Sequence, residues 1–324
     1  MGYPQLCKWI LFKKRPDGMY SVRDCATDTQ YTLGSTIAYF ASRLDGKTDP
    51  FSILPGYSRR QVQEMLDSLQ EENFLRYGRL MRQSKGCWQY TLIIPRKFRS
   101  HSLIPMVIHY LLLFLWLPTL LWGIGRFFAS VPDLQQGSIA AGQWLALLLG
   151  SLSHEAAHAC AALCYGARVF EAGALLHHFM PGFYVMIDAT PVKSRLRRVH
   201  IDLAGVKMNL FLAGMGLLLS TWIPSQSGLF FGFALCNGIL GLTNLTFAAG
   251  LDGLSAMGLL LGSDHDLVWQ SVCTLLDKND FRRLCKAGPH GIVELFSCTL
   301  ILLLQLALPA FYLLLIMEVV EWFL

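Results

Sequence analysis

The stretch from Ser153 to His158, which reads Ser-His-Glu-Ala-Ala-His, decides how the rest of the sequence is interpreted. It lies inside an apolar run from about residue 140 to residue 162, which is long enough to cross a membrane. A charged side chain at the centre of a bilayer costs about 2.5 to 3.5 kcal/mol even on the lenient insertion scale, so such residues are usually kept for function. Three ionisable side chains in this run therefore indicate a functional site.

The spacing of these side chains indicates which chemistry the site supports. His154 and His158 are four residues apart, so a helix places both imidazoles on one face, with Glu155 beside them. Neutral imidazoles suit Zn²⁺, and three protein ligands leave a fourth position for a water molecule that the glutamate can deprotonate. The alternative is a chance match on an ordinary helix, and the cost of inserting these residues into a membrane argues against it.

The composition is that of a membrane protein with a polar N-terminal part. The chain has 324 residues, of which 53% are hydrophobic and 15% charged, and its mean hydropathy is +0.42, which is too apolar for a soluble enzyme. Residues 1–100 hold 16 of the 27 lysines and arginines. We predict a small α+β, winged-helix-like domain over residues 1–100 and a polytopic α-helical membrane domain over residues 101–324, with about five or six transmembrane segments.

Five apolar runs are each long enough to span a bilayer, and the fourth is so long that we expect it to be broken. The positive-inside rule orients them. With the N-terminus in the cytoplasm, the basic residues between 168 and 198 and between 278 and 286 lie inside, and Arg126 is outside. We therefore expect a multi-pass protein of the cell membrane with its N-terminus and active site toward the cytoplasm. The runs cover residues 103–125, 140–163, 201–223, 229–262 and 292–317.

The N-terminal domain shows a pattern of two hairpins and two helices. Segments 8–13 and 20–25 flank a turn at Pro16-Asp17-Gly18, and segments 74–80 and 88–94 flank another at residues 84–86. Apolar residues at helical spacing follow Ile37, and a capping box at Ser58-x-x-Gln61 opens a second helix. This order weakly resembles the PqqD-like peptide-recognition domain of ribosomally made, modified peptides.

Three roles for this domain stay open. It could bind DNA through the second helix, pair a strand edge with an extended peptide, or serve as a structural cap. Acidic residues on the second helix, such as Glu64 and Asp67, would repel phosphates, so peptide binding is favoured over DNA. The net charge of +5 needs no nucleic acid, because basic cytoplasmic loops account for it, and no nucleic-acid partner is expected.

Other polar residues in the apolar text are candidates for the same site. Asp252 is a lone carboxylate followed by a glycine, so it is a candidate third ligand for zinc, although it could also mark a helix boundary. Asn209 needs a hydrogen-bond partner, either a neighbouring helix or a substrate carbonyl. Cys160 and Cys164 better suit small buried helix positions than metal ligands, and His177-His178 better suits a polar loop. The segment between the second and third runs is expected to form strands, at 169–176 and 179–187.

These residues together resemble the site-2 protease family of intramembrane zinc metalloproteases. Three motifs carry the resemblance over residues 103–262. They are His154 to His158 for His-Glu-x-x-His, Ala204 to Asn209 for Ala-Gly-Pro-x-x-Asn, and Asn244 followed by Leu251-Asp252-Gly253 for Asn-x7-Leu-Asp-Gly, although only six residues separate Asn244 from Leu251. Within the family, Pro181 to Val185 and the N-terminal domain look most like the putative peptide zinc metalloproteases of modified-peptide and bacteriocin clusters.

The resemblance implies a role for each matching residue. His154, His158 and Asp252 would bind Zn²⁺, Glu155 would activate the water, and the substrate strand would be held by Asn209 and Asn244. Val206 stands where the family has proline, and the prolines before Leu-Asp-Gly are absent, which affects the geometry of the substrate channel.

We expect a zinc metalloendopeptidase that cleaves a small peptide precursor or a membrane-anchored peptide. Cleavage of a membrane-anchored regulator is the alternative substrate class. A non-catalytic peptide exporter or immunity protein, and a cation transporter, are the alternatives that involve no peptide hydrolysis.

Overall fold

The structure is a computed structural model that describes residues 3–303 except 26–28, 79, 83–86, 94–102, 131, 133–135, 178–179, 247–250, 262–266, 290 and 293. The chain forms two compact units. One comprises Met1–Met106 and Ala162–Pro191, and the other Val107–Ala161 and Val192–Leu324. The sequence divides at residue 100 by composition, whereas the first compact unit also includes a segment that follows the histidine motif.

Among the residues that the structure describes, the first unit contains nine strands and three helices. The strands are β1 Pro4–Leu6, β2 Ile10–Lys14, β3 Tyr20–Asp24, β4 Thr29–Leu33, β5 Leu75–Tyr77, β6 Leu80–Arg82, β7 Cys87–Ile93, β8 Arg168–His177 and β9 Met180–Asp188, and the helices are α1 Ser35–Arg43, α2 Pro50–Ile53 and α3 Arg59–Glu71.

The first predicted hairpin and both predicted helices are confirmed. Strands β2 and β3 pair antiparallel, and the turn between them is closed by Asp17, whose Oδ1 accepts a hydrogen bond from the backbone N–H of Met19 at 3.0 Å. Helix α3 begins with the complete capping box: the backbone N–H of Ser58 donates to Gln61 Oε1, and that of Gln61 to Ser58 Oγ. Local sequence signals therefore determine this part of the fold.

A six-stranded sheet in the order β1-β5-β6-β7-β8-β9 forms the other part of the first unit. The predicted strand 74–80 is divided into β5 and β6 by a turn at Gly78, whose φ is 62°, and the predicted turn at 84–86 lies outside the described residues. The strands predicted at 169–176 and 179–187 correspond to β8 and β9, except that residue 179 is not described. Strand β8 pairs with β7, so the segment after the histidine motif completes the N-terminal sheet.

A buried polar cluster connects four strands of this sheet. Arg76 on β5 is ion-paired with Glu171 on β8 at 2.5 Å, and both side chains are almost fully buried. Thr91 on β7 and Tyr184 on β9 donate to Glu171 Oε1 at 3.0 and 2.8 Å. Burial, with the carboxylate of Glu171 beside it, raises the pKa of the Tyr184 hydroxyl, which therefore stays protonated as a donor. The charge on Glu171 is thus satisfied by three partners.

From residue 103 onward the remaining elements are helical. They are α4 Leu103–Ser130, α5 Gln136–Leu145, a π-helical segment Ala146–Gly150, α6 Ser151–Cys164, α7 Arg195–Asp202, α8 Ala204–Trp222, a 3₁₀ turn Pro224–Gln226, α9 Ser227–Leu245, α10 Asp252–Leu261, α11 Leu267–Leu276, α12 Lys278–Lys286 and a short apolar helix Glu294–Leu303.

Three helices among the described residues are long and apolar enough to cross a membrane: Leu103–Ser130, Ala204–Trp222 and Pro224–Leu245. Large apolar side chains point outward, with Phe114 70% exposed and Phe128 75% exposed. Such a surface is expected where lipid covers the protein. The helical architecture and these helices agree with the coarse prediction of a membrane protein.

The other predicted spans have a more complex form. The second is helical from residue 136 to 164 but contains the π-helical segment Ala146–Gly150. The fourth is broken as predicted, because α9 ends at Leu245 and α10 begins at Asp252. The fifth is described only as far as residue 303.

Two glycines on α8, Gly214 and Gly216, allow this helix to approach its neighbours closely. A Cβ atom added to Gly214 would lie 2.7 Å from the backbone of Leu120 on α4. One added to Gly216 would lie 2.9 Å from the carbonyl oxygen of Phe230 on α9. These glycines therefore set the distance of α8 from both neighbouring helices.

Candidate metal centre

Three predicted ligands come together in the second compact unit. His154 and His158 project from α6, and Asp252 is the first residue of α10. The Nε2 atoms of the two histidines are 3.1 Å apart, and the Oδ2 atom of Asp252 lies 3.1 Å from Nε2 of His154 and 3.3 Å from that of His158. Both histidines are buried.

The position of Asp252 depends on contacts at the start of α10. A Cβ atom added to Gly253 would lie 2.1 Å from the carbonyl oxygen of Leu245, so glycine allows α10 to begin directly against the end of α9. One turn further, Ser255 donates a hydrogen bond to Asp202 of α7 at 2.7 Å. These contacts hold the N-terminus of α10, and with it the carboxylate of Asp252, against the histidines.

The triangle of ligand atoms has the dimensions of a tetrahedral metal site. Ligand atoms about 2.0 to 2.1 Å from a tetrahedral ion lie about 3.3 Å from one another. The three observed separations, 3.1, 3.1 and 3.3 Å, are close to that value. The Oδ2 atom of Asp252 is buried and accepts no well-directed hydrogen bond, although both Nε2 atoms are near it. The cluster of His154, His158 and Asp252 could therefore hold a metal ion.

The donor set alone does not specify zinc. Imidazole suits zinc, copper, iron and nickel, and two histidines with one carboxylate also form the facial ligand set of non-haem iron oxygenases. The choice between these metals needs a further observation, such as the groups that surround the ligands.

Each histidine also has a partner at its second ring nitrogen. The Nδ1 atom of His158 lies 2.7 Å from the carbonyl oxygen of Ile201, at the end of α7. The Nδ1 atom of His154 lies 3.2 Å from Nδ2 of Asn209 on α8. Contacts at Nδ1 fix the orientation of both rings, and the Nε2 atoms point toward Asp252.

A glycine on α8 makes room for one ligand. A Cβ atom added to Gly205 would lie 2.4 to 2.5 Å from three ring atoms of His154. Since such contacts do not occur between real atoms, only glycine is compatible with this ring position. Gly205 therefore contributes to the site because it has no side chain.

Glu155 follows the first histidine on the same turn of α6 and is half-buried. Its carboxylate is close enough to His158 to act on it electrostatically. The role of Glu155 in activating water stays a prediction.

The remaining candidates take different positions. The amide of Asn244 donates to the carbonyl oxygen of Leu240 in its own helix at 3.0 Å, and no hydrogen bond in the described part of the chain joins it to the ligands. Cys160 is half-buried and Cys164 buried, and neither belongs to the metal-binding group found among the described residues. His178 lies outside the described residues.

Two contacts of the site were not predicted from the sequence. The carbonyl of Ile201 is a backbone group with no sequence signal of its own, and the hydrogen bond between Asp202 and Ser255 joins helices far apart in the chain. Gly205 was noted as part of a motif, but its contact with His154 was not predicted.

No family model, curated protein or solved structure matches this chain. The functional assignment therefore depends on the geometry of the three ligands, on the residues that surround them and on the sequence motifs.

Proposed function

We propose that this protein is a multi-pass membrane zinc endopeptidase of the site-2 protease type. The observation that carries the proposal is the triangle of His154, His158 and Asp252 with separations of 3.1 to 3.3 Å, beside the half-buried Glu155. Zinc is favoured over iron because a carboxylate next to the ligands is the general base that hydrolysis needs. The Ala-Gly and Leu-Asp-Gly motifs, which resemble those of the family, support the same assignment.

The chain supplies most of the proposed mechanism. His154, His158 and Asp252 would hold the zinc ion, which would supply Lewis-acid polarisation of the scissile carbonyl and a lower pKa for a bound water. Glu155 accepts a proton from the attacking water and passes it to the leaving amine, so no covalent intermediate is needed. Ile201 and Asn209 hold the two imidazole rings in place from the side opposite the ligand atoms.

Sheet pairing supports the proposed membrane topology. Strands β7 and β8 are neighbours in one sheet, so a membrane topology that fits this pairing has residues 93 and 168 on the same side. The chain between them must then cross the bilayer an even number of times. If α4 crosses once, the helical stretch from 136 to 164 crosses back and carries the histidine motif within the bilayer. The positive-inside rule assigns the shared side to the cytoplasm.

The proposed substrate is a small peptide precursor or a membrane-anchored peptide, which the N-terminal unit binds. Acidic residues on α3 favour peptide over nucleic acid, and Glu64 accepts from Arg60 at 3.0 Å, which partly neutralises one of the basic residues at the start of that helix. Proteolysis of a membrane-anchored regulator is the second candidate. Export or immunity without catalysis is disfavoured because Glu155 and the ligands are all present.

Mass spectrometry of a short peptide encoded beside the gene tests the proposal. The peptide is co-expressed with the wild-type chain or with Glu155→Gln, and both proteins are shown to be in membranes and to carry equal zinc. We expect truncation with the wild type alone, at a bond that the masses identify. Equal truncation in both samples would assign the cleavage to another protease, and a full-length peptide in both would remove this substrate class and direct the test to membrane-anchored regulators.

A further inference from the structure

Asn209 makes an unusual contact with one of the ligands. Its side chain is 1% exposed, and its Nδ2 atom lies 3.2 Å from Nδ1 of His154. Its Oδ1 atom is buried and has no hydrogen-bond partner among the described residues. A buried amide oxygen without a partner is unfavourable, because it has lost its hydrogen bonds to water.

The contact decides which nitrogen of His154 carries the proton. When Nδ2 donates to Nδ1, the neutral imidazole must hold its proton on Nε2, the nitrogen that faces Asp252. In that tautomer Nε2 has no lone pair for a metal.

A half-turn of the amide about its Cβ–Cγ bond reverses this choice. Oδ1 then takes the place of Nδ2 and accepts a hydrogen bond from Nδ1–H, which gives the unpaired oxygen a partner and leaves the Nε2 lone pair of His154 free. His158 differs, because the carbonyl of Ile201 can only accept and so always holds the proton on Nδ1. Only His154 has a partner that supports both tautomers.

We propose that Asn209 is a positioning residue that selects the tautomer of His154 and thereby sets the affinity of the metal centre. The inference depends on the metal centre of the proposed function. It assigns Asn209 to a ligand, whereas the family resemblance assigns it to the substrate. Asparagine at this position can support either tautomer of His154, one through its N–H and the metal-binding one through its oxygen.

Two nearly isosteric variants separate the two halves of the amide. Asn209→Asp keeps an acceptor and Asn209→Leu removes both groups. The control is Asn237→Leu. Asn237 is equally buried, and its Oδ1 also has no partner in the described part of the chain, but its Nδ2 donates to the carbonyl oxygen of Phe233 in its own helix. The full chain in detergent is stripped of metal and titrated with Zn²⁺ against a competing chelator and with Co²⁺, whose visible absorption reports tetrahedral coordination.

We expect Asn209→Leu to lose about 10- to 100-fold in Zn²⁺ affinity, as is typical when a contact behind a metal ligand is removed. Asn237→Leu should bind Zn²⁺ with an affinity within about threefold of the wild type. Asn209→Asp should bind Zn²⁺ at least as tightly, to within about threefold, because its carboxylate also favours the proton on Nδ1 of His154. Should Asn209→Leu fail to fold, Asn209→Ala removes the same groups with less volume.

Wild-type Zn²⁺ affinity in the leucine or alanine variant would overturn the inference. An equal loss of Zn²⁺ affinity in the leucine and aspartate variants would also overturn it, because it would indicate a purely structural role for Asn209. If the wild type binds zinc but cleaves no peptide, the proposed function fails and the inference about Asn209 is still decided by the titration. If the wild type binds neither Zn²⁺ nor Co²⁺, both fail.

Discussion

Replacing Gly205 by alanine tests the metal centre with a single methyl group. The added Cβ atom would lie 2.4 to 2.5 Å from three ring atoms of His154, whereas carbon atoms in contact are about 3.5 Å apart. The ring must therefore retreat by about 1 Å. Metal–ligand distances tolerate deviations of about 0.2 Å, so a displacement of this size removes Nε2 of His154 from the ligand triangle.

We expect Gly205→Ala to lose Zn²⁺ affinity by at least about 100-fold, the upper range for losing a single supporting contact. Overpacking should also lower the free energy of unfolding by about 1 to 3 kcal/mol. Both quantities can be measured on the full chain in detergent, by chelator competition for Zn²⁺ and by thermal unfolding of the metal-free protein.

Gly238→Ala is the matched control. A Cβ atom there would meet only the Cβ of Ala213 at 3.9 Å, which is an ordinary contact. Alanine is the better helix former by up to about 1 kcal/mol, so this variant should be as stable as the wild type or more stable, with unchanged Zn²⁺ affinity. Equal affinities for the two alanine variants would refute the argument that Gly205 makes room for a metal-binding imidazole.

Three further predictions concern the first compact unit. Arg76→Met leaves Glu171 as an unpaired buried charge and should lower the free energy of unfolding of this unit by about 3 to 5 kcal/mol, and adding Glu171→Met should recover part of that loss. Denaturant unfolding, followed by hydrogen exchange of β7 and β8, measures the stability of both variants. A loss of stability that is the same with and without Glu171 would contradict the ion pair. Ser58→Ala removes one hydrogen bond of the capping box and should lower the stability of α3 by about 1 kcal/mol. Amide hydrogen exchange in the first turn of α3 should then become faster, and unchanged exchange would show that the cap is dispensable. Burial raises the pKa of the Cys7 thiol, so this thiol should not react with an alkylating reagent at pH 8, whereas the exposed Cys285 should react. Peptide mapping measures the alkylation of each cysteine, and equal labelling would place Cys7 outside the core.

Local patterns in the sequence predicted local structure well. The capping box at Ser58, the apolar stripe that begins at Ile37 and the turn at Asp17 all appear in the structure, because each depends on residues only a few positions apart. The spacing of His154 and His158 likewise places both imidazoles together on α6.

Long-range pairing could not be predicted in the same way. Nothing near residues 168–177 indicates that they pair with β7, because a strand edge accepts any sequence of suitable polarity and the partner lies far away in the chain. The contact of Asn209 with His154 was missed for a related reason: a polar residue in an apolar helix shows that a partner is needed without showing which one.

The pairing of β7 with β8 also sets a timetable for synthesis of the chain. Roughly 75 residues separate Ile93 from Arg168, and a ribosome adds about 5 to 20 residues per second. The synthesis of β8 therefore begins about 4 to 15 seconds after that of β7 ends, and the edge of β7 that pairs with β8 stays unpaired during this time. During that interval the carboxylate that neutralises Arg76 has not yet been made. The N-terminal sheet can therefore be completed only after the first helices and the histidine motif have been synthesised.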